Sequence, residues 1–298
     1  MRLSLSRREF LAASAATAVA GPAFGADSKK LVLIAGTPSH GPGAHEFNAG
    51  VQLLAKCLKG FPGLETSVNL NGWPKRLDAF DGAAGILIFA DGGPGHPAIQ
   101  KGRPAFLGQH MINGVGLMCA HYGVEVPADK GGPDFLDWIG GYYEDKFSCN
   151  PIWMPEYKEF PKHPIANGVK PFTVEDEWYF NMRFRPDMKG VTGILTATPP
   201  DKVRDGPYVY PKGPYKHIQD AKGRAEHMMW AAERADGGRG VGFTGGHFHT
   251  NWQNDNFRKV VLNALVWICK VDVPADGVES KVSDADIKAN LDPKPGKK

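Results

Sequence analysis

Short apolar runs, each close to a loop rich in glycine, constrain the fold of this chain more than any other feature. Residues 30–35, 85–90 and 115–119 are apolar almost throughout. Runs of this length without alternation are typical of strands buried on both faces of a parallel sheet. The helical spacing of apolar residues over 46–58 and 254–269 supplies helices that could cover such a sheet. The sequence therefore predicts an α/β fold.

The order of these patterns predicts one doubly wound, mostly parallel sheet with an elaborated insertion. Further strands are predicted over 64–70, 193–198 and 240–244, and a helix over 97–112. Residues 123–185 are rich in Pro, Gly, Trp and Tyr and break the alternation of strands and helices. We interpret them as an insertion that covers one edge of the sheet and carries short strands around 172–174 and 178–184. Residues 199–225, with five prolines, are predicted to form a long functional or mobile loop.

The N-terminus has the pattern of a twin-arginine export signal. Arg7 and Arg8 precede a mildly apolar stretch over 12–20, and small residues at 23 and 25 suit a cleavage site. We therefore predict a signal peptide over 1–25, a main domain over 26–273 and a flexible tail over 274–298. The protein is expected to be periplasmic or otherwise exported. A tail that carries two arginines by chance and an uncut membrane tether are the alternatives.

Composition and charge limit the classes of partner. With 42% hydrophobic and 22% charged residues, the chain has the balance of a globular protein. The formal net charge is +3, but the terminal segments carry it, and residues 26–278 have no net charge. A neutral body without a basic stripe argues against nucleic acid as a partner. Apart from the N-terminal segment, no apolar run is long enough to cross a bilayer.

The four cysteines do not indicate a zinc or redox motif. Cys57, Cys119, Cys149 and Cys269 lack C-x-x-C spacing. Buried free thiols are the favoured interpretation, although an exported protein could also hold a disulfide.

Histidines concentrate where predicted strands end. Because ligands of an open parallel sheet bind outside the carboxyl ends of its strands, residues at these places are candidates for a site. Five of the ten histidines fall within six residues of such an end. The candidates are His40 after the first strand, Asp91 and His96 after the third, His121 after the fourth, and His247 and His249 after the last.

Two of these histidines lie in distinctive local patterns. The segment Cys119-Ala-His121-Tyr-Gly123 resembles the sharp strand-to-helix elbow that raises a catalytic residue above a sheet. Histidine in that place suits a metal ligand or a proton carrier, or a core residue bonded to backbone. In Gly245-Gly-His247-Phe-His249, extended chain would point both imidazoles the same way, towards one metal or substrate.

Two further groups are candidates for supporting roles. His45 and Glu46 precede a predicted helix, where His45 suits a cap position or a functional role equally well. The segment Asp176-Glu177-Trp178-Tyr179 combines carboxylates with aromatic rings, as sugar sites do, but a surface hairpin would have the same composition.

Taken together, these motifs resemble the ThuA-like (trehalose utilisation) family over residues 30–272. The resemblance rests on His40, the segment 116–121, His163-Pro-Ile-Ala-Asn-Gly168, the segment 176–179, Gly245-Gly-His247 and the closing helix near Trp267. It implies a fold similar to class I glutamine amidotransferases, which is flavodoxin-like, and a role in the metabolism of trehalose and related disaccharides through 3-keto sugars. In such a fold Cys119 would lie near the amidotransferase cysteine and His247 at the place of its histidine. The elbow lacks the required glycines, because Leu117 and His121 occupy their positions.

The leading hypothesis is an exported, metal-assisted enzyme, a lyase or hydrolase, that acts on 3-keto disaccharides or glycosides. The expected metal ligands are His40, His121, His247 and His249, and the expected catalytic residues are His121, His247 and Glu125. Substrate contacts are expected from Asp91, Asp176, Glu177, Tyr179 and Trp252. Imidazole ligands suit Zn, Mn, Fe or Ni, and no nucleotide is expected.

The expected partner is a small carbohydrate, and a homo-oligomer is possible. Two alternatives stay open at this stage. One is a cysteine hydrolase that uses Cys119 and His247. The other is a non-catalytic sugar-binding module with a stacking surface made of Trp153, Trp178, Tyr179 and Trp252.

Overall fold

A computed structural model describes residues 28–294 as one α/β domain around a seven-stranded sheet. The predicted signal peptide lies outside the described residues. The strands are β1 Lys29–Ala35, β2 Leu64–Asn69, β3 Ala83–Phe89, β4 Gly116–Ala120, β5 Gly141–Tyr142, β6 Ile152–Trp153, β7 Glu156–Tyr157, β8 Phe172–Thr173, β9 Asp176–Glu177, β10 Arg183–Phe184, β11 Val191–Ala197, β12 Glu226–Glu233 and β13 Arg239–Phe243. The helices are α1 Phe47–Leu58, α2 Arg103–Ile112, α3 Gly132–Trp138, α4 Asp201–Arg204, α5 Lys216–Gln219, α6 Asp255–Ile268 and α7 Asp284–Lys288. Short 3-10 helices cover Leu77–Phe80, Gly93–Gly95, Pro97–Ile99, His121–Val124, Pro164–Ala166, Pro186–Met188 and His249–Gln253.

The central sheet confirms the predicted doubly wound, mostly parallel architecture. Its strand order is β11-β12-β13-β4-β3-β1-β2. Strands β2, β1, β3, β4 and β13 are parallel to one another, and β12 pairs antiparallel with both β13 and β11. The chain leaves β1 for β2 on one side and returns to β3 on the other. The carboxyl ends of β1 and β3 therefore form the topological switch point at which ligands of such sheets bind.

Two apolar cores lie on the two faces of the sheet. Alternate residues of the buried strands divide between them, so that Met118 of β4 packs in one core and Cys119 in the other. The helix α6 is buried along most of its length in the first core. Asn254 begins it, because its side chain accepts hydrogen bonds from the backbone N–H groups of Asn256 and Phe257.

The inserted segment and the strand β12 depart most from a regular pattern. The insertion carries β5 to β10 as parts of three two-stranded sheets, whose longest pairing covers two residues.

The sequence gives no strand signal for β12, since Met, Ala and Glu favour helices. Its place between β11 and β13 makes it a strand, because all but its His227 and Glu233 are buried there. Short helices α4 and α5 interrupt the predicted loop over 199–225.

The C-terminal segment differs from the flexible tail predicted over 274–298. Residues 274–294 pack against the domain, with Ile287 of α7 buried. Near its end, the ammonium group of Lys294 lies 3.3 Å from the carboxylate of Glu46, and both side chains are 2% exposed. The same ammonium group donates to the backbone carbonyls of Ala44 and His45. The lysine-rich composition predicted an exposed tail, but Lys294 forms a buried ion pair that fixes the loop before α1.

Among residues 28–294, no helix is both long and apolar enough to cross a bilayer.

Replacing Lys294 with methionine should destabilise the domain. The change leaves the Glu46 carboxylate buried without its partner, which costs about 3–5 kcal/mol in comparable buried pairs. Urea denaturation measures the free energy of unfolding, and Lys288→Met, at an exposed position, is the matched control. Equal unfolding free energies for the two variants would show that the ion pair does not hold the segment.

Candidate metal centre

Four side chains converge at the carboxyl edge of the central sheet. His45 lies in the loop between β1 and α1, His121 directly follows β4, and His247 lies beyond β13. Glu177 reaches the same place from β9 of the insertion. One nitrogen or oxygen atom from each of the four lies within 4.8 Å of the other three. We call these four residues the histidine cluster.

The distances within the histidine cluster match those between the ligands of one metal ion. Nε2 of His45 lies 3.0 Å from Nε2 of His121 and 3.1 Å from Nδ1 of His247, and these last two atoms are 3.3 Å apart. Oε2 of Glu177 lies 2.7 Å from Nδ1 of His247 and 3.7 Å from Nε2 of His121. Ligands at roughly 2.0–2.1 Å from a tetrahedral ion are separated by about 3.3 Å. The cluster could therefore hold one such ion.

Hydrogen bonds on the far side of two imidazoles fix which nitrogen carries the proton. Nδ1 of His121 lies 2.9 Å from the carbonyl oxygen of Thr244, which can only accept. Nδ1 of His45 lies 2.8 Å from the carboxylate of Asp91. Both Nδ1 atoms therefore donate, and the Nε2 atoms of the neutral rings face each other with lone pairs. Such orientation of a ligating histidine by a carboxylate or carbonyl is characteristic of metal sites.

Burial keeps these two imidazoles neutral. Desolvation and the neighbouring His40 and His247 lower the pKa of His45 from 6.5 to about 2. Burial, together with His45 and His247, holds the pKa of His121 well below its ordinary value. Neutral imidazole is the form that binds metal ions.

The backbone at the cluster adopts conformations that most side chains avoid. His45 has φ 49° and His121 has φ 53°, both in the left-handed region. Such residues cost roughly 1–3 kcal/mol each and concentrate at functional sites. At His121 this geometry agrees with the predicted elbow, since the strand ends at Ala120 and the chain turns at once into a 3-10 helix.

Asp176 and two glycines shape the loop that carries His247. The Asp176 carboxylate accepts hydrogen bonds from the backbone N–H groups of Gly246, at 2.8 Å, and His247, at 3.0 Å. A side chain at Gly245 would collide with the ring of Trp178 at 2.6 Å, and Gly246 has φ 111°. Asp176 is fully buried, so its role differs from the substrate contact predicted from the sequence. It positions His247 instead.

The histidine cluster lies beside a cavity of about 530 Å³. Its lining includes His45, Glu177, Tyr179 and His247. The hydroxyl oxygen of Tyr179 lies 3.3 Å from Nε2 of His121. The other lining residues are His40, Gly93, Pro94, Tyr122, Glu125, Val126, Pro127, Tyr143, Asp145, Asn150, Val209, Tyr210 and Pro211. The volume falls within the range of about 300–1,000 Å³ typical of sites for small organic molecules.

Glu125 brings a protonated carboxyl group to this cavity. Burial, with the nearby carboxylates of Asp145 and Glu177, raises its pKa from 4.5 to about 8. At neutral pH it therefore carries a proton, as a general acid must.

Comparison with known proteins decides the family. The model of the ThuA family, described as trehalose utilisation, matches residues 83–268. The chain belongs to the ThuA family. The matched range includes His121, Glu177 and His247 of the cluster, whereas His45 precedes it. The role of the family in carbohydrate utilisation therefore applies to this chain at that general level.

Solved structures of ThuA-like proteins share the fold of this ThuA-family chain. One from Bacteroides uniformis ATCC 8492 is 16% identical, with a TM-score of 0.57 over 85% of this chain and 96% of its own. One from Parabacteroides merdae ATCC 43184 is 15% identical, with a TM-score of 0.55 over 88% of this chain and 99% of its own. No curated protein matches the sequence. At this identity the structures establish the fold alone, and that fold is consistent with the amidotransferase-like architecture that the family resemblance implies.

The structure places two of the predicted ligands, His121 and His247, in the cluster of this ThuA-family protein and leaves a third at its edge. His40, the first predicted ligand, is 43% exposed and stacks on the ring of His45 at 3.6 Å. Its Nδ1 lies 3.9 Å from Asp91, which itself orients His45. His45 takes the place that the sequence analysis gave to His40. The signal for it was its position between β1 and α1, at the switch point.

His249 lies outside the cluster, contrary to the prediction. The chain is not extended there, because a 3-10 helix begins at His249, so the side-chain alternation of a strand does not apply. The side chain is buried, and its nitrogens are not among the atoms that converge in the cluster.

The three tryptophans predicted for a sugar-stacking surface are buried, and of that set only Tyr179 lines the described cavity. Trp252 is 2% exposed and packs against Phe89 and Phe257, so it does not line the cavity as a substrate contact. Trp153 and Trp178 are likewise buried in the first core. The three tryptophan rings are large apolar groups that fill the first core.

Cys119 is unsuited to the nucleophilic role considered for it. Its thiol is completely buried among apolar side chains of the second core, and this burial raises its pKa far above the ordinary value. Within the described part of the chain, no hydrogen bond joins it to His247. A reactive thiol needs the opposite environment, one that favours the thiolate.

Replacing Glu125 with glutamine should stabilise the folded protein increasingly as pH rises from 5 to 8. In this window the unfolded chain loses the Glu125 proton while the folded state retains it, so the wild type loses up to about 1.4 kcal/mol of stability per pH unit from this group. Glutamine removes that loss. Urea denaturation at pH 5, 6.5 and 8 measures the difference between variant and wild type.

Glu159→Gln removes one carboxylate at an exposed position and serves as the control. A Glu125→Gln difference that stays constant with pH would contradict the raised pKa.

Proposed function

We propose that this ThuA-family protein is a metal-assisted enzyme that acts on neutral keto-sugars, such as 3-keto disaccharides or glycosides. The observation that carries the proposal is the 3.0 Å approach of Nε2 of His45 to Nε2 of His121, two rings whose Nδ1 atoms each face an acceptor on the far side. Two lone pairs at this distance repel each other, and a cation bound between them would turn the repulsion into attraction. His247 and Glu177 complete a set of three imidazoles and one carboxylate, which suits Zn, Mn, Fe or Ni.

The charges around the cavity favour a neutral ligand. Among the described residues that line it, none is Lys or Arg, while Glu125, Asp145 and Glu177 contribute carboxyl groups. Apart from a metal ion in the cluster, a phosphorylated or carboxylated substrate would find no permanent cation there to pair with. Hydroxyl groups can instead bond to the carboxyl groups and to the tyrosines of the lining.

The proposed chemistry is enolisation of a 3-keto glycoside followed by cleavage of its glycosidic bond. A divalent cation in the cluster would polarise the ketone oxygen and so acidify the neighbouring C–H group. The proton on that carbon leaves to a base, the electrons form a carbon–carbon double bond, and the C–O bond to the leaving sugar breaks. Glu125 can deliver its carboxyl proton to the departing oxygen, since it is protonated at neutral pH.

We also propose that the protein works outside the cytoplasm. This rests on the twin-arginine pattern around Arg7 and Arg8 alone.

Purified protein dialysed against Zn²⁺ should retain one equivalent of zinc, measured by mass spectrometry of the element. His121→Ala should lower the retained zinc well below that level, since it removes one of four ligands. His217→Ala, which removes an exposed histidine, is the control and should retain zinc like the wild type. No zinc in the wild type, or undiminished zinc in His121→Ala, would refute the metal site.

Turnover is tested with a panel of 3-keto disaccharides and the corresponding unoxidised sugars, with products identified by mass spectrometry. We expect cleavage of 3-keto substrates only, stimulated by added metal. Glu125→Gln should reduce the rate by about 10²–10⁴-fold, the contribution of a positioned general acid. Absence of cleavage in every metal-supplemented sample would contradict the proposed reaction.

A further inference from the structure

The mouth of the cavity carries an aromatic ring that the histidine cluster does not use. Val209, Tyr210 and Pro211 line the cavity, and the Tyr210 side chain is 76% exposed. Glu177 of the cluster is 3% exposed. The cavity thus extends from a buried polar base to a rim formed by this loop, which we call the rim loop (residues 205–215).

The rim loop holds the backbone of Tyr210 in a defined place. Tyr208 is 2% exposed, and its hydroxyl donates to the carbonyl oxygen of Arg204 at 2.6 Å. The N–H of Tyr208 donates to the carbonyl oxygen of Lys212 at 2.9 Å, which closes the loop. The exposed ring of Tyr210 is therefore presented by an anchored backbone.

One side chain connects the rim loop to the histidine cluster. Oδ1 of Asn150 accepts the backbone N–H of Tyr210 at 3.1 Å, and Nδ2 of Asn150 donates to Oε1 of Glu177 at 2.8 Å. The side-chain amide of Asn150 thus bonds both to the backbone of Tyr210 and to the carboxylate of Glu177. Because these two residues are close together, a small molecule is large enough to contact both.

An exposed tyrosine at the rim of a cavity that no Lys or Arg lines suits the face of a sugar ring. The C–H groups on one face of a pyranose are weakly positive, and an aromatic face is negative. Asp145, an exposed carboxylate of the same lining, can accept hydrogen bonds from sugar hydroxyls.

We propose that Tyr210, with Asp145, forms a subsite for a second neutral sugar ring, so that the ligand of this cavity is a disaccharide. This inference rests on the proposed function, which places the first ring beside the histidine cluster. The ring of Tyr210 selects ligands by the presence of the second sugar and takes no part in the chemistry. It is therefore a specificity residue.

The test measures the binding of trehalose and of glucose to zinc-treated protein by calorimetry. The wild type should bind trehalose more tightly than glucose. Tyr210→Ala should weaken trehalose binding by about tenfold, because one stacking contact is lost, and leave glucose binding unchanged. Tyr210→Phe keeps the ring and should stay within about threefold of the wild type.

Leu77→Ala removes an exposed apolar side chain outside the cavity lining and is the control for surface effects. The subsite is refuted if Tyr210→Ala binds trehalose like the wild type, if it loses glucose and trehalose equally, or if the wild type binds neither sugar. Zinc content measured on the same samples separates the two proposals. If the zinc-treated wild type retains no zinc but binds trehalose more tightly than glucose, and Tyr210→Ala removes that preference, the metal site is refuted and the subsite is supported.

Discussion

The approach of two unprotonated imidazole nitrogens across 3.0 Å is the constraint on which the account of this protein depends. Asp91 and the carbonyl of Thr244 occupy the opposite edges of the two rings, so neither ring can turn its N–H group inward without losing a buried hydrogen bond. Burial also opposes protonation, which would otherwise relieve the repulsion. The lone pairs of the two Nε2 atoms are therefore close together in a buried site. This arrangement is unfavourable in free energy, and binding of a cation would offset the cost.

The doubly wound sheet explains how residues so distant along the chain reach one point. Parallel strands bring their carboxyl ends to one edge, where the chain must turn after every strand. His45 and His121 each occupy a left-handed turn at that edge, and Gly246 provides the third turn. Behind them, Lys294 holds the loop of His45 and Asp176 holds the loop of His247. The strain of the site is thus carried by buried polar contacts of the surrounding domain.

The sequence was sufficient for the fold and for half of the cluster. Apolar runs and helical spacing located most strands of the sheet, and the ends of β4 and β13 identified His121 and His247. It failed where a side chain depends on distant contacts. His45 could not be distinguished from a cap residue without its contact to Asp91, and the place of Glu177 beside His247 depends on the folding of the insertion, which has no local signal. His249 was wrongly predicted as a ligand because a 3-10 helix begins there, and side chains alternate in direction only along an extended chain.

The most direct test of the central claim is X-ray absorption spectroscopy at the zinc edge on protein loaded with one equivalent of Zn²⁺. We expect a shell of three imidazole nitrogens and one carboxylate oxygen at roughly 2.0–2.2 Å, with one imidazole fewer in His45→Ala. A shell of water oxygens, a sulfur ligand, or an imidazole count unchanged in His45→Ala would contradict it.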